Sequence, residues 1–274
     1  MGYSIARPSP LLSRFVKQYW TLENCLPGGQ QHIQRIVPNG LIELIFYLGD
    51  RPETSDPKRS VSANTIITGH LSDYYDLRVT GQLSLFSILF KPQGLSMFFD
   101  IPVNELNNQN VPFRFIFKTD TDELESQLFE EHTFPGRIRI VEHFLIRLLK
   151  RHGNKYNYER IEHTINIINR SRGAVSIDFL ASEACFGRKQ FERVFSKYIG
   201  TSPKQFLRTI RLQHAIDLRS KDAAVNLTDL TYSAGYYDQS HMINDFQKLT
   251  GLTPKQFFDA SEPYSDYFST TPHI

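Results

Sequence analysis

Short blocks of hydrophobic residues, some alternating with polar ones, run through the first third of the chain. Five blocks rich in β-branched and aromatic residues predict strands at residues 31–37, 41–48, 65–68, 75–79 and 83–90. Glycines and prolines separate them at short intervals, which is typical of an antiparallel sandwich or barrel. Pro38-Asn39-Gly40 lies between the first two blocks and predicts that they pair as a hairpin.

The apolar positions follow a helical period in two further places. Residues 11–19 carry the spacing of a short amphipathic helix, and residues 121–132 and 135–152 predict two longer helices. The last of these has an apolar stripe from Ile138 to Leu149 with more large residues than one neighbouring helix needs to cover. Part of that stripe is therefore a candidate surface for a homodimer, and the alternative is packing within the chain. His152-Gly153-Asn154 ends this helix and marks a predicted domain boundary.

The C-terminal hundred residues contain a repeat at an offset of 51 residues. Residues 187–206 have the sequence GRKQFERVFSKYIGTSPKQF, and residues 238–257 have the sequence DQSHMINDFQKLTGLTPKQF. Two copies of a short helix, a turn, a second helix and a Gly-x-Ser/Thr-Pro stop predict a duplicated helix-turn-helix. One such unit contacts about one DNA half-site, so two units in one chain suit two successive major grooves.

Periodicity and capping residues outline the helices of this region. We expect helices at Tyr158–Arg170, after the cap residue Ser176, at residues 188–198, and at residues 203–219 as one rod between the repeats. Apolar positions of the helix at 188–198 leave an outer face of Arg188, Lys189, Glu192 and Arg193, which can reach base edges in a major groove. The alternative for such a face is simple solvation.

Charge is distributed unevenly although the net charge is only +2. Residues 176–220 hold eight Lys and Arg against four Asp and Glu, a net +4, whereas residues 221–260 hold three against five, a net −2. The first unit is therefore predicted to dominate contacts with phosphates.

Composition limits the other classes of protein. The chain of 274 residues is long enough for two domains, and its 40% apolar and 22% charged content is that of a globular protein. No apolar stretch suits a secretion signal or a bilayer span, and the two cysteines lack the spacing of a zinc or redox site. We therefore expect a cytoplasmic protein that does not associate with membranes.

Residues 157–260 resemble the DNA-binding domain of the AraC/XylS family of bacterial transcription regulators. The second repeat matches the family signature at Gly235-Tyr236, Asp238, Ser240-His241, Phe246, Gly251 and Thr253-Pro254. The first repeat matches at Leu180-Ala181, Phe195, residues 200–203 and Arg211. Met242 and Gln247 depart from the pattern, since Phe and a cation are usual there. Residues 35–40 and 235–241 are also similar to a subgroup with an uncharacterised N-terminal domain.

This resemblance implies a set of DNA contacts. Base contacts are implied at Lys189, Glu192 and Arg193 in the first unit and at Gln239, Ser240, Ile243 and Asn244 in the second. Arg188, on the same outer face of the first unit, is a further candidate for a base contact. Phosphate contacts are expected at Lys197, Lys204, Arg208, His241, Lys248 and Lys255. Asp245 is expected to face phosphates and to weaken binding by the second unit.

The β-rich segment offers little chemistry. Arg35 and Glu43, on facing strands of the predicted hairpin, could form a polar pair in a ligand pocket, but a cross-strand ion pair is the alternative. His32 and His70 stand alone and are interpreted as ordinary histidines, so no metal and no cofactor are predicted. Trp20 is interpreted as a core residue.

These observations together predict an α+β protein in two parts. Residues 1–152 form an antiparallel β-rich, sandwich-like or barrel-like domain with a helical connector at about 121–152, residues 153–262 an all-α double helix-turn-helix domain, and 263–274 a tail. The predicted function is DNA-binding transcription regulation without catalysis, and the predicted partner is double-stranded DNA. The N-terminal domain is expected to bind a small-molecule effector or to form a homodimer contact. RNA polymerase is a further expected partner if the protein activates transcription. An enzyme fused to a DNA-targeting module, for which no catalytic motif is found, and a protein-binding adaptor are the alternatives.

Overall fold

Antiparallel strands build the N-terminal half of the protein. The computed structural model describes residues 2–26, 30–118, 121–152 and 156–260. Its strands are β1 (Gly2–Ala6), β2 (Val16–Cys25), β3 (Gln31–Ile36), β4 (Ile42–Tyr47), β5 (Thr65–Thr68), β6 (Tyr75–Thr80), β7 (Gln82–Phe90) and β8 (Asn110–Pro112). Six of them form one sheet in the order β1-β2-β7-β4-β5-β8, and β3 pairs with β6 in a second sheet. The predicted antiparallel β-rich class is confirmed.

The predicted hairpin between residues 31–37 and 41–48 is wrong. β3 pairs with β6, from Gln31 opposite Thr80 to Ile36 opposite Tyr75, while β4 lies between β5 and β7. The reason is burial, because every residue of β4 is buried and needs a neighbour on each side, whereas β3 is only partly covered. The segment from Val37 to Gly40 leaves the sheet between them.

The predicted helix at residues 11–19 is also wrong. A turn precedes Val16, where β2 begins, and β2 pairs with both β1 and β7. Gln18, Tyr19 and Trp20 are all buried, so the strand is covered on both faces and does not alternate between apolar and polar positions. A short apolar run of this kind does not distinguish strand from helix.

A helical connector closes one side of the large sheet. It comprises α1 (Phe113–Ile116), α2 (Thr121–Glu130) and α3 (Phe134–His152). The apolar stripe of α3 is buried in the core of the same chain, where Phe144 packs edge-to-face against Phe113 and Phe117 at ring-centre distances of 6.3 and 5.4 Å. The core of the same chain therefore covers the stripe, and the stripe gives no argument for a second copy.

The C-terminal half is helical. Its elements are α4 (Tyr158–Arg170), α5 (Ile177–Glu183), α6 (Arg188–Ile199), α7 (Pro203–Lys221), α8 (Leu227–Ser233), α9 (Gln239–Thr250) and α10 (Pro254–Asp259). These include each predicted helix of this region, and they form two cores, one around Phe191 and Phe195 and one around Phe246 and Leu249. The predicted boundary at 153–154 and the tail at 263–274 lie outside the described residues. Within the described residues, no helix is long and apolar enough to cross a bilayer.

Candidate nucleic-acid interface

α5 and α6 form the first helix-turn-helix unit. The Ser176 hydroxyl accepts a hydrogen bond from the Phe179 amide at 3.2 Å and so caps α5, as predicted from its sequence position. α6 buries Phe191 and Phe195 in the unit and leaves Lys189 and Arg193 exposed. The amphipathic pattern thus fixes which face of α6 meets solvent.

The charges on the exposed face of α6 are not equivalent. Arg188 lies 2.9 Å from a carboxylate oxygen of Asp178 and 3.3 Å from one of Glu192, so its charge is shared with neighbours on the surface. Among the described residues, Lys189 and Arg193 form no ion pair and are exposed. These two side chains are therefore the cations of this face that can approach DNA without breaking an existing pair.

α8 and α9 form the second unit. The Asp238 carboxylate accepts a hydrogen bond from the His241 amide at 2.7 Å and caps α9. α9 buries Met242 and Phe246, so Met242, which departs from the expected signature, is a core residue of this unit. Its open side is polar and uncharged near the start, with Gln239, Ser240 and Asn244 exposed and Ile243 half-buried.

Asp245 does not face phosphates, and that expectation is wrong. Its side chain is only 3% exposed and lies 2.5 Å from the guanidinium of Arg208 and 3.7 Å from that of Arg211, both on α7. His241 approaches the same carboxylate at 3.7 Å. The pairing joins α9 to the helix between the two units, since a buried carboxylate needs compensating cations.

This pairing also corrects the position of Arg208 among the expected phosphate contacts. Its side chain is 18% exposed and its Nε donates to Asp245 at 2.7 Å, so contact with a phosphate would require breaking a buried pair. His241 is 41% exposed. The remaining cations expected at phosphates are all exposed: Lys197, Lys204, Lys248 and Lys255.

The N-terminal domain docks on α7 through the segment between β3 and β4. The Pro38 carbonyl accepts a hydrogen bond from the Gln213 side-chain amide at 2.8 Å. Val37 is buried in the core of the second unit, and Gly40 lies against Phe206. The Pro-Asn-Gly signal therefore marks an interdomain contact and not the predicted hairpin turn.

The same domain also touches the carboxyl ends of both α6 and α9. Gly200 and Gly251 end these helices in the left-handed conformation that favours glycine, with φ of 100° and 76°. A Cβ atom at Gly200 would lie 3.0 Å from Val103, and one at Gly251 would lie 2.4 Å from Tyr74. The two units are thus contacted at equivalent positions of the repeat.

Arg35 and Glu43 lie apart, so they do not form the predicted pair. The Arg35 guanidinium donates to the Asp76 carboxylate at 2.8 and 2.9 Å and to the Thr250 carbonyl at 3.2 Å. It also lies over the Tyr74 ring at 4.4 Å. Arg35 therefore belongs to the interdomain contact, which the sequence did not indicate.

Glu43 lies instead at a cavity between the two sheets. The cavity has a volume of about 100 Å³ and a mainly apolar wall contributed by β2 to β7. The Trp20 indole N–H donates to Glu43 Oε1 at 2.5 Å, and the Ser87 hydroxyl donates to the same oxygen. Burial raises the pKa of Glu43 to about 7, although both hydrogen bonds oppose this change. A carboxylate within the apolar run LIELIFY is the sequence signal that marks this site.

The two histidines of the β-rich domain have separate surroundings. Burial lowers the pKa of His70 to about 3, and its ring meets Phe206 edge-on at a ring-centre distance of 5.9 Å. The His32 imidazole lies 3.3 Å from the Gln34 side-chain oxygen. Within the described ranges, His, Cys, Asp and Glu do not gather in groups of three that could hold a metal ion.

Two family models match the chain. Residues 180–260 match a helix-turn-helix domain, and residues 4–112 match a domain of unknown function, DUF6597. An uncharacterized HTH-type transcriptional regulator of Haemophilus influenzae is 31% identical over 93 residues, which are 34% of this chain and 31% of that protein. The lactose operon transcription activator of Staphylococcus xylosus is 28% identical over 100 residues, or 36% of each protein. The matches thus span about a third of the length of these relatives.

Solved structures add a weaker likeness. ToxT of Vibrio cholerae aligns over 84% of this chain and 97% of its own, with 11% identity and a TM-score of 0.45.

Proposed function

We propose that this chain, whose residues 180–260 are an AraC-type helix-turn-helix domain, is a sequence-specific DNA-binding transcription regulator. α6 and α9 enter successive major grooves and the N-terminal domain controls them. The observation that carries the proposal is the exposed face of α6, where Lys189 and Arg193 are available to base edges. Regulation of transcription by relatives that share this domain supports it.

The two units divide the contacts. Lys189 and Arg193 contact bases from α6, with Arg188 and Glu192 held in a surface ion-pair cluster beside them. Gln239, Ser240 and Asn244 contact bases from α9 through neutral hydrogen bonds. The exposed lysines at positions 197, 204, 248 and 255 meet phosphates, which supply much of the affinity but little of the specificity.

The N-terminal domain acts through its contact with α7 and with the ends of α6 and α9. Effector binding or dimerisation in that domain would change the relative positions of the two units, because Val37, Arg35 and Gly40 contact the helical domain directly. A change in the spacing or angle between α6 and α9, the proposed recognition helices, would alter DNA binding. Two linked recognition helices dock together only when their major grooves are in phase. RNA polymerase is the further partner if the regulator activates, and the cytoplasm is the compartment in which it acts.

Selection of bound fragments from genomic DNA with the purified full chain at low salt tests the proposal. The selected site is then titrated with wild type and with the double variant Lys189→Ala/Arg193→Ala. We expect the variant to lose most of its affinity for the selected site, because two base-contacting cations are removed.

A matched variant separates specific contact from overall charge. Lys58→Ala/Lys150→Ala removes the same charge from exposed positions of the N-terminal domain and is expected to bind the selected site nearly as wild type does. Equal losses of affinity in the two double variants would contradict the assignment of α6 as a recognition helix. Failure of the folded wild-type chain to bind any DNA at low salt would contradict the proposed function itself.

A further inference from the structure

We propose that the cavity between the two sheets binds a small organic amine, with its protonated head on Glu43 and its apolar body against the surrounding wall. This inference deepens the proposed function, in which the N-terminal domain senses an effector, by naming the chemical class of that effector. It depends on the proposed function for its regulatory role, but binding of the amine is measured without DNA.

The first argument concerns the acceptors of Glu43. The residue is 5% exposed and lines the cavity. Both of its side-chain hydrogen bonds, from Trp20 and Ser87, go to Oε1. Among the residues that the structure describes, no donor reaches Oε2. A buried acceptor left in this way selects a ligand that donates a hydrogen bond.

The second argument concerns charge. The cavity wall includes no lysine and no arginine among the described residues, so the Glu43 carboxylate has no cationic side chain beside it there. A buried carboxylate is costly without a counter-ion, and a protonated amine supplies one. A ligand with a carboxylate head would add a like charge in the same space, and it is disfavoured.

The third argument concerns size and polarity. Leu22, Ile45 and Leu85 are among the aliphatic side chains of the wall. The cavity volume of about 100 Å³ is smaller than the ~150 Å³ apolar cavity that takes up benzene in an engineered protein, so it limits the enclosed part of an occupant to about one ring. A single ring or a short alkyl group therefore fits the apolar wall, and one polar head group can donate to Glu43 Oε2.

The cavity also reaches the interdomain contact. Val37 and Asn39 line it, and between them the Pro38 carbonyl accepts the hydrogen bond from Gln213 of α7. An occupant that shifts this segment would shift α7 and, through Arg208 and Asp245, the second unit. The cavity is thus connected to the helical domain by a short path of direct contacts.

Benzylamine is the probe for the test, and the chain itself provides the reporter. Trp20 is the single tryptophan of the protein, lines the cavity and donates to Glu43. Its fluorescence in the purified full chain is titrated with benzylamine, with the isosteric neutral benzyl alcohol, and with benzoate. We expect benzylamine to bind at least about tenfold more tightly than benzoate, as a desolvated ion pair should. Equal or tighter binding of benzoate would overturn the proposal, and this comparison needs no variant.

Glu43→Gln provides the second measurement. The variant keeps the shape of the side chain and removes its charge, so we expect benzylamine affinity to fall by about tenfold or more while benzyl alcohol affinity changes little. An unchanged benzylamine affinity, or no fluorescence response to any probe, would also overturn the proposal.

The pH dependence adds a third readout. The amine should bind more tightly at pH 8 than at pH 6, because the Glu43 pKa of about 7 leaves the carboxyl largely protonated at the lower value. The other titratable groups around Glu43 are Tyr3, Tyr47 and Tyr75, whose pKa values burial raises further from this range, and His32 on β3. The titration is therefore repeated in His32→Gln, where the same pH trend is expected. Loss of the trend in that variant would assign the effect to His32 and remove this support.

Binding of DNA in the absence of probe separates this inference from the proposed function. A chain that binds benzylamine but no DNA would overturn the proposed function and leave the amine site intact. A chain that binds its DNA site but prefers benzoate would do the reverse.

Discussion

The two helix-turn-helix units come from one repeat, yet they place charge in opposite ways. The first exposes Lys189 and Arg193 on α6 and pairs Arg188 with Asp178 on the surface. The second exposes neutral polar side chains and keeps its carboxylate, Asp245, inside against Arg208. The net charges of +4 and −2 counted along the sequence therefore exaggerate the difference that DNA would meet. The field at a reading helix is set by exposed charges and not by the composition of its segment.

The largest expected effect comes from breaking the buried ion pair between Asp245 of α9 and the arginines of α7. Asp245→Ala leaves Arg208 and Arg211 without their partner in a mostly buried position, and should lower the free energy of unfolding by about 3–5 kcal/mol. Thermal and denaturant unfolding measure it, with the exposed residue Asp259 changed to alanine as the control. A loss no greater than that of Asp259→Ala would mean that the pair contributes nothing to joining α7 and α9.

The next largest effect is the loss of DNA affinity when one proposed base-contacting residue is removed from α6 or from α9. Arg193→Ala and Asn244→Ala each remove one side chain that can form a bidentate contact, so each should cost about 1–3 kcal/mol at one base pair. Only Arg193→Ala removes a positive charge from the protein–DNA interface, so only this variant should also reduce the salt dependence of binding. Titrations of the selected site at several salt concentrations measure both quantities. Equal salt slopes for the two variants would contradict the contrast between a charged and a neutral reading face.

A smaller effect on stability is expected from the residue that caps the start of α9. Asp238 caps α9 with its side chain, whereas α6 begins after Gly187 without a side-chain cap. Asp238→Ala should therefore destabilise the second unit by about 1 kcal/mol. Asp238→Asn keeps an acceptor and should restore most of that loss in the same unfolding assay. Equal losses in both variants would point to the charge of Asp238 and not to its cap.

The smallest effect is a gain at the matching position of the first unit. A Cβ at Gly187 would meet nothing within 4 Å, and its φ of −65° suits any residue. Gly187→Ser should supply the missing cap and stabilise the fold by a few tenths of a kcal/mol. Differential unfolding against wild type checks it. A loss of stability would show that the glycine serves another purpose at this turn.

Sequence patterns were most reliable where a helix is defined locally. Tyr158–Arg170 has the same bounds in the structure as in the prediction, because its apolar period is complete. Ser176 was recognisable as a helix-start residue, since a cap depends only on residues three positions away.

The patterns failed where the partner is distant along the chain. Pro38-Asn39-Gly40 indicated a change of chain direction but not which strands pair. β3 pairs with β6, which follows it by about 40 residues. Asp245 lies among polar residues of an amphipathic helix, and only the approach of α7 shows that it is buried. The cavity at Glu43 likewise depends on six strands meeting, which no local period encodes.

The contacts at Gly200 and Gly251 have a consequence for a regulator bound to its site. In the 12-residue helices α6 and α9, the residues proposed to contact bases occupy the first two turns, and the glycines lie beyond the last. From Lys189 to Gly200 the axial distance is roughly 16 Å at 1.5 Å per residue. Lys197 and Lys248, which are proposed to contact phosphates, lie only three residues before these glycines. The N-terminal domain would therefore lie beside the phosphate backbone and outside the groove, so the nuclease footprint of the full chain should extend past the base pairs that α6 and α9 contact. Its outer surface would remain accessible to other proteins while the operator is occupied.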